Sequence, residues 1–192
     1  MVAPRKENKM NNVTSLSKAY YLAAVWHSAQ KRKGKSAEPY INHLLEVADL
    51  VNAATDGSDV DLTIAAILHD AIEDAGITVE VIAETFGTDV ANLVVEVTDD
   101  KSLKKKERKR LQVVNTPKKS NRAKMIKLAD KTSNIRAITN SPPPWPLRRK
   151  KKYLAWARDV VVGARGVNPR LEKLFDEAAS ALESKLTNEV IK

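Results

Sequence analysis

The sequence has no cysteine, few glycines and no long apolar run, and each shortage excludes a class of protein. Without cysteine, the 192-residue chain forms no disulfide and no thiolate zinc site, so any metal must be bound by histidine and carboxylate. Six glycines and few segments of period-two alternation argue against a sheet protein. No apolar run approaches the roughly 20 residues that span a bilayer. Residues 1–13 lack the apolar segment of a secretion signal, so the predicted location is the cytoplasm, with no membrane partner.

The residues that are abundant favour a single all-α domain. Ala, Leu, Lys and Glu are frequent, and hydrophobic residues make up 43% and charged residues 30% of the chain. The length suits one domain with a substantial core. We predict a flexible tail over residues 1–13 and one domain over residues 14–192, built from about eight to ten helices. The net charge of +9 suits an anionic partner, which charge alone leaves open as a nucleic acid, a membrane surface or a phosphorylated small molecule.

Capping residues and helical spacing locate the individual helices. Thr14 or Ser15 is predicted to cap the first helix, and Gly87 to end a short helix that starts at Thr78. Other helices are predicted at 40–54, 59–73, 88–98, from Ser120 onward, at 148–165 and at 169–188. The helix over 59–73 is apolar on nearly all sides, which predicts a central position. Residues 101–112 form a strongly basic surface segment.

Three separate places in the chain carry residues suited to metal chemistry. His69 and Asp70 lie near the end of the central helix, and Glu73 and Asp74 follow four residues later on the same faces. His43 and Asp130 lie in apolar surroundings on two other helices, where a buried imidazole or carboxylate needs a partner. Imidazole combined with carboxylate is the ligand mix of Mn, Fe or Zn. We therefore predict ligands that converge on one ion from three helices.

The order of these motifs resembles that of the HD-domain phosphohydrolases, and within them the hydrolase domain of the RelA/SpoT family. The resemblance covers roughly residues 16–140 and leaves out the closing helices over 148–188. It rests on the blocks His27-Ser-Ala-Gln30-Lys-Arg32-Lys33, Pro39-Tyr40-Ile41-Asn-His43, Ala66-Ile-Leu68-His69-Asp70-Ala-Ile-Glu73-Asp74, Phe86-Gly87, Val97-Thr98-Asp99 and Lys127-Leu128-Ala129-Asp130-Lys-Thr-Ser-Asn134-Ile-Arg136. The length leaves no room for synthetase or regulatory domains, so the chain is similar to the stand-alone small alarmone hydrolases of metazoans.

The resemblance implies a role for each candidate residue. The family's metal-ligand positions, usually occupied by Mn²⁺ or another divalent metal, correspond to His43, His69, Asp70 and Asp130. The acidic pair that positions and activates the attacking water corresponds to Glu73 and Asp74. The nucleotide pocket corresponds to Arg32, Lys33, Tyr40 and Asn134. The implied reaction removes the 3′-pyrophosphate of ppGpp or pppGpp and gives GDP or GTP and pyrophosphate.

Several departures from the family pattern leave the substrate open. Leu44 stands where proline often follows the ligand histidine. After Asp130 the chain reads Lys-Thr-Ser-Asn-Ile-Arg-Ala, where the family commonly has Arg-Leu-His-Asn-Met-Arg-Thr, so Ala137 lacks a hydroxyl. The alternative substrates are ppApp, NADPH and deoxynucleotides.

The alternative without catalysis is a protein that binds RNA or an alarmone and does not cleave it. The basic run over 101–110 is most typical of a solvated face, and its alternative roles are to guide polyphosphate toward the site or to bind RNA. A nucleic-acid partner is disfavoured because this run has no interleaved aromatic residue. We expect His27 to be a core histidine bonded to a neighbour, and the three tryptophans, Trp26, Trp145 and Trp156, to be core or loop anchors.

Overall fold

The computed structural model describes residues 11–189 and shows, within them, ten α-helices and no strand. The helices are α1 (Asn12–Trp26), α2 (Ile41–Ala54), α3 (Val60–Leu68), α4 (Ala71–Ala75), α5 (Val79–Phe86), α6 (Thr88–Val97), α7 (Lys105–Asn115), α8 (Asn121–Asn140), α9 (Leu147–Val162) and α10 (Pro169–Asn188). A 3₁₀ turn, Thr116–Lys118, joins α7 to α8. The all-α prediction is confirmed. None of these ten helices is long and apolar enough to cross a membrane.

Two helices organise the core. In α3 every residue from Leu62 to Leu68 is buried, and the helix packs against α1, α2 and α6. This confirms the prediction of a central helix from its nearly uniform apolar character. The longer helix α8 packs against α2, α6, α9 and α10. The end of α3, the start of α2 and the middle of α8 therefore meet, and this junction positions the chemically interesting side chains.

The central helix is shorter than predicted, because it breaks at His69 and Asp70. The His69 ring Nδ1 donates to the Ala66 carbonyl at 2.8 Å. That carbonyl is the acceptor that the Asp70 N–H would use in a continuous helix. The chain resumes as the short helix α4 at Ala71. The prediction of one helix over 59–73 is wrong in this respect, and the break turns both side chains out of the helix end.

The first helix begins earlier than predicted. The Asn11 side chain accepts a hydrogen bond from the Val13 N–H at 2.9 Å and caps α1, so the predicted cap at Thr14 or Ser15 is wrong. Residues 1–10 of the predicted tail lie outside the described residues. Gly87 ends α5 with a φ of +94°, as predicted.

The loop between α1 and α2 is held against the end of α8. The Arg32 N–H donates to the Glu38 carbonyl, and the Tyr40 N–H donates to the Gln30 carbonyl, which closes the loop on itself. A Cβ at Gly34 would overlap the Ser141 carbonyl oxygen, so only glycine allows this close approach. The loop therefore presents Arg32 and Tyr40 to the junction of α2, α3 and α8.

Candidate active site

Two histidines and a carboxylate meet at this junction. The His43, His69 and Asp130 ligand atoms lie within 4.8 Å of one another, although the three residues come from α2, the end of α3 and α8. The His43 Nε2 lies 3.4 Å from Asp130 Oδ1. The Asp70 Oδ2 lies 3.1 Å from His69 Nε2 and 3.9 Å from His43 Nε2. The four predicted metal ligands thus form one cluster, with Asp70 at its edge.

Hydrogen bonds orient both imidazoles in the same sense. The His69 Nδ1 faces a carbonyl oxygen, which only accepts, so Nδ1 carries the proton. The His43 Nδ1 donates to the Ser133 hydroxyl at 2.8 Å. In each neutral ring the Nε2 lone pair therefore faces the cluster. Metal-binding histidines are ordinarily held in this way, with the second ring nitrogen donating to an oxygen.

The cluster contains a buried nitrogen atom without a hydrogen-bond partner, and this atom indicates whether a cation fits the site. The His69 ring is 6% exposed, and within the described chain its Nε2 makes no aligned hydrogen bond, even though Asp70 is near. A buried polar nitrogen without a partner is costly. Nitrogen and carboxylate oxygen around such a point form the donor set of a divalent transition metal. The residues present therefore fit a divalent cation.

Electrostatics in the cluster favour a positive charge. Burial alone would lower the pKa of His69, but the Asp70 carboxylate outweighs burial and raises this pKa to about 9. Burial would likewise raise the pKa of Asp70, but His69 and His43 hold it well below its ordinary value. The His43 pKa is lowered, chiefly by burial. The carboxylates beside the two histidines therefore favour a positive charge in the cluster.

Both carboxylates of the cluster have further hydrogen-bond donors. The Tyr40 hydroxyl donates to Asp70 Oδ2 at 2.6 Å. The Lys131 ammonium donates to Asp130 Oδ2 at 2.7 Å, and the Asn134 amide donates to Asp130 Oδ1. These bonds fix the carboxylates in place, since charge-assisted hydrogen bonds are the stronger ones.

The acidic pair that follows lies on α4 and is paired with the basic segment. Glu73 Oε1 accepts from Arg108 Nη1 at 2.9 Å, and Asp74 accepts from the Lys101 ammonium. Burial, followed by the negative charges of Asp99 and other carboxylates, raises the pKa of Glu73, and a hydrogen bond from the Asp99 backbone N–H acts against this rise. Arg108 and Lys101 belong to the run that sequence reasoning treated as a solvated face.

A small polar cavity and a large cationic one adjoin at this site. The small cavity, about 170 Å³, is lined by His69, Asp70, Glu73, Asp74 and Asp130, among others. The large one, about 590 Å³, shares Tyr40 and Asn134 with it. Eight cationic side chains line the large cavity, and no acidic residue of the described chain does so. They are Lys31, Arg32, Lys33, Lys105, Lys106, Lys109, Arg149 and Lys152.

Burial, together with repulsion from neighbouring cations, lowers the pKa of two lysines in the large cavity. Burial, followed by the nearby Lys105, lowers the pKa of Lys109 to about 8. Burial and Lys33 lower the pKa of Lys105. Aromatic faces complete the wall, since the Arg149 guanidinium lies 4.2 Å from the Trp145 ring and Tyr153 lies beside it. The cavity thus combines flat apolar surfaces with an excess of positive charge.

Comparison with known proteins agrees with this geometry. Residues 19–156 match the model of the HD-domain family. The chain belongs to the HD-domain family. It is 46% identical to a Drosophila melanogaster guanosine-3′,5′-bis(diphosphate) 3′-pyrophosphohydrolase, MESH1, over 81% of this chain and 87% of the relative. The Homo sapiens MESH1 is 42% identical over 85% of this chain and 92% of the relative.

A solved structure extends the similarity to the fold. A metazoan orthologue of SpoT that hydrolyses ppGpp superposes with a TM-score of 0.82 and 42% identity, over 85% of this chain and 93% of that chain. The resemblance inferred from the ordered motifs is therefore confirmed at the level of the family and the fold.

Within this HD domain, the predicted pocket residues Arg32, Lys33, Tyr40 and Asn134 all line the large cavity. Sequence reasoning left the role of the basic run that includes the α7 cations open, and it missed the cations of α9. Their signal was the four-residue spacing of Lys105 and Lys109 on one face of α7, and the three-residue spacing of Arg149 and Lys152 on α9.

Two expectations for ring side chains can also be compared with the HD-domain structure. His27 is a buried core residue whose Nδ1 is bonded to Gln30, as predicted. Trp156 anchors α9 through its Nε1, which donates to the Lys109 carbonyl, and Trp26 packs partly buried against the core. Trp145 does more than anchor a loop, because it forms a wall of the cationic cavity.

Proposed function

We propose that this HD-domain protein is a metal-dependent guanosine-3′,5′-bis(diphosphate) 3′-pyrophosphohydrolase that uses Mn²⁺. The observation that carries the proposal is the continuity between the histidine–carboxylate cluster and the cavity lined by eight cations. A nucleotide with phosphates on both sides of its ribose supplies the many negative charges that such a lining attracts. The named activity of the MESH1 relatives supports the same substrate.

The ion would be held by His43, His69, Asp70 and Asp130. When bound, a divalent cation neutralises phosphate oxygens and lowers the pKa of water. The protein contributes the orientation of these ligands through the donors on their far sides, which are Tyr40 for Asp70 and Lys131 for Asp130. These contacts favour one arrangement of the carboxylates before substrate arrives.

Glu73 is our candidate for the residue that orients the attacking water and accepts its proton. Its raised pKa brings the carboxylate nearer to the range that suits a general base at neutral pH. The water oxygen forms a bond to the 3′ phosphorus, and the bond from that phosphorus to the ribose 3′ oxygen breaks. Pyrophosphate leaves, and the ribose oxygen takes up a proton. Asp74, whose carboxylate accepts from the Lys101 ammonium, lines the same small cavity as Glu73.

The large cavity would bind the rest of the nucleotide. Lys33 together with Lys105 and Lys109 of α7 screens the phosphate charges. Trp145 and Tyr153 offer aromatic faces for the base. Asn134 lines both cavities and so stands where the ribose passes from one to the other.

A substrate panel tests the proposal and its alternatives. The protein would be incubated with Mn²⁺ and ppGpp, ppApp, NADPH or a deoxynucleoside triphosphate, and products separated by ion-exchange chromatography. We expect GDP and pyrophosphate from ppGpp, with no turnover after chelation. Asp70→Ala provides the matched negative control. Cleavage of another panel member in place of ppGpp would transfer the activity to that nucleotide. Salt-sensitive RNA binding without any turnover would favour the alternative without catalysis.

A further inference from the structure

Ser133 occupies a central position beside the metal cluster without belonging to it. It lies on α8, one turn after Asp130, and its side chain is completely buried. Its hydroxyl is 2.8 Å from His43 Nδ1, 2.6 Å from Glu46 Oε2 and 3.2 Å from Arg32 Nη1. Three different elements of the fold therefore meet at one hydroxyl group.

The valence of this hydroxyl determines the direction of every bond. A serine hydroxyl has one hydrogen and two lone pairs, so three contacts use all of its capacity. Arg32 can only donate. The Glu46 carboxylate also accepts from Arg136 Nη1 at 3.2 Å, and it receives the hydroxyl hydrogen. The remaining lone pair of Ser133 must accept from His43, so the His43 proton is held on Nδ1.

The two histidines of the cluster are thus oriented by different means. His69 is held by a backbone carbonyl, which no side-chain substitution can remove. His43 depends on the Ser133 hydroxyl, with the Glu46 carboxylate behind it. The Glu46 carboxylate therefore acts on the imidazole through one intervening hydroxyl. In carboxylate–histidine–metal triads the carboxylate bonds to the imidazole directly.

We propose that Ser133 is a positioning residue whose hydroxyl relays the Glu46 carboxylate to His43 and fixes the His43 ring with Nε2 toward the metal site. The relay rests on the metal-ligand role given to His43 in the proposed function, but not on the identity of the nucleotide. The relay requires a hydroxyl at position 133, where the family pattern commonly has histidine.

The direct test is a Mn²⁺ titration of the full chain, followed by isothermal calorimetry or by the electron paramagnetic resonance signal of free Mn²⁺. We expect Ser133→Ala to weaken Mn²⁺ affinity about 10- to 100-fold, as loss of an outer-shell partner of a ligand histidine does. Ser133→Thr keeps the hydroxyl and should restore affinity to within about threefold of wild type. Activity lost by Ser133→Ala should return at high Mn²⁺, with kcat recovered.

The matched control is Thr132→Val, one residue earlier on α8. Thr132 is equally buried, but its hydroxyl donates only to the Leu128 carbonyl of its own helix. This variant should keep wild-type Mn²⁺ affinity, so weakened binding there would attribute the Ser133 effect to general disturbance of α8 and overturn the relay. Circular dichroism of each variant verifies that it is folded.

A second variant addresses the far end of the relay. The Glu46 side chain is a third exposed, so Glu46→Ala is compatible with folding, and it should also weaken Mn²⁺ binding, by more than about threefold. Unchanged Mn²⁺ affinity in both Ser133→Ala and Glu46→Ala would overturn the relay while leaving the proposed function intact. Weakened Mn²⁺ binding in a protein that cleaves no panel nucleotide would support the relay and refute the proposed function.

Discussion

Replacement of Glu73 by glutamine tests the role of this carboxylate in the chemical step separately from metal binding. Glutamine keeps the size of the side chain and an oxygen that can still accept from Arg108 at 2.9 Å. It loses the charge and the ability to take up a proton. Glu73 is not among the four proposed ligands, and its carboxylate is paired with Arg108. The change should therefore affect the chemical step and spare the metal.

The magnitude follows from the role of a general base. Loss of such a base costs about 10²- to 10⁴-fold in kcat, or about 2.7–5.5 kcal/mol in the barrier. Mn²⁺ affinity should stay within about threefold of wild type, since no ligand atom is removed. Substrate KM should change little, because Glu73 lines the small cavity and not the large cationic one.

The assay combines single-turnover release of pyrophosphate from ppGpp with a separate Mn²⁺ titration. Glu80→Gln on α5 is the matched control, because it makes the same chemical change on an exposed side chain. A Glu73→Gln variant that retains more than about a third of the wild-type kcat would refute the assignment of Glu73 as base. A variant that loses Mn²⁺ binding instead would show that Glu73 belongs to the metal shell.

Three further predictions address the metal, the cationic cavity and the core. Asp70→Ala should abolish both Mn²⁺ binding and turnover; an active, metal-free variant would contradict the site, and calorimetry with product release measures both. Lys109 is protonated below its pKa of about 8, so the KM for the nucleotide should rise as pH increases through about 8. In a profile of KM against pH, Lys109→Gln should remove that rise. A flat wild-type profile would exclude Lys109 from phosphate binding. Leu68→Ala, at a fully buried position in α3, should lower the free energy of unfolding by about 2–5 kcal/mol in urea denaturation. The control Val95→Ala, at an exposed position, should lower it by less than about 0.5 kcal/mol. A similar loss in both variants would contradict a central position of α3.

The convergence of the site could be predicted because buried polar groups need partners. His43 lies in apolar surroundings and Asp130 on an otherwise apolar helix face, and burial of an unpaired imidazole or carboxylate is costly. That argument requires no knowledge of the fold. The break at His69 could not be predicted, because it depends on a side-chain bond to the Ala66 carbonyl that hydrophobic periodicity does not reveal.

The position of α7 could not be predicted for a different reason. Its residues are so strongly charged that the local pattern indicates a solvated face. In the structure Arg108 pairs with Glu73, 35 positions away, and Lys101 pairs with Asp74, 27 positions away. Such long-range ion pairs leave no trace in a local window of sequence. These ion pairs hold the basic run against the acidic residues of the site.

Arg32 lines the large cavity and also bonds to two residues that orient side chains of the metal cluster. The family resemblance gives Arg32 to the nucleotide pocket, and it does line the large cavity. Its two terminal nitrogens, however, donate to Ser133 and to Asn134, at 3.2 Å each, and these residues hold His43 and Asp130. The guanidinium has five N–H donors, so a nucleotide phosphate can bind those that these bonds leave free. Since coupling between two sites is reciprocal, a shift of Arg32 on phosphate binding would change Mn²⁺ affinity, and Mn²⁺ binding would change nucleotide affinity by the same factor.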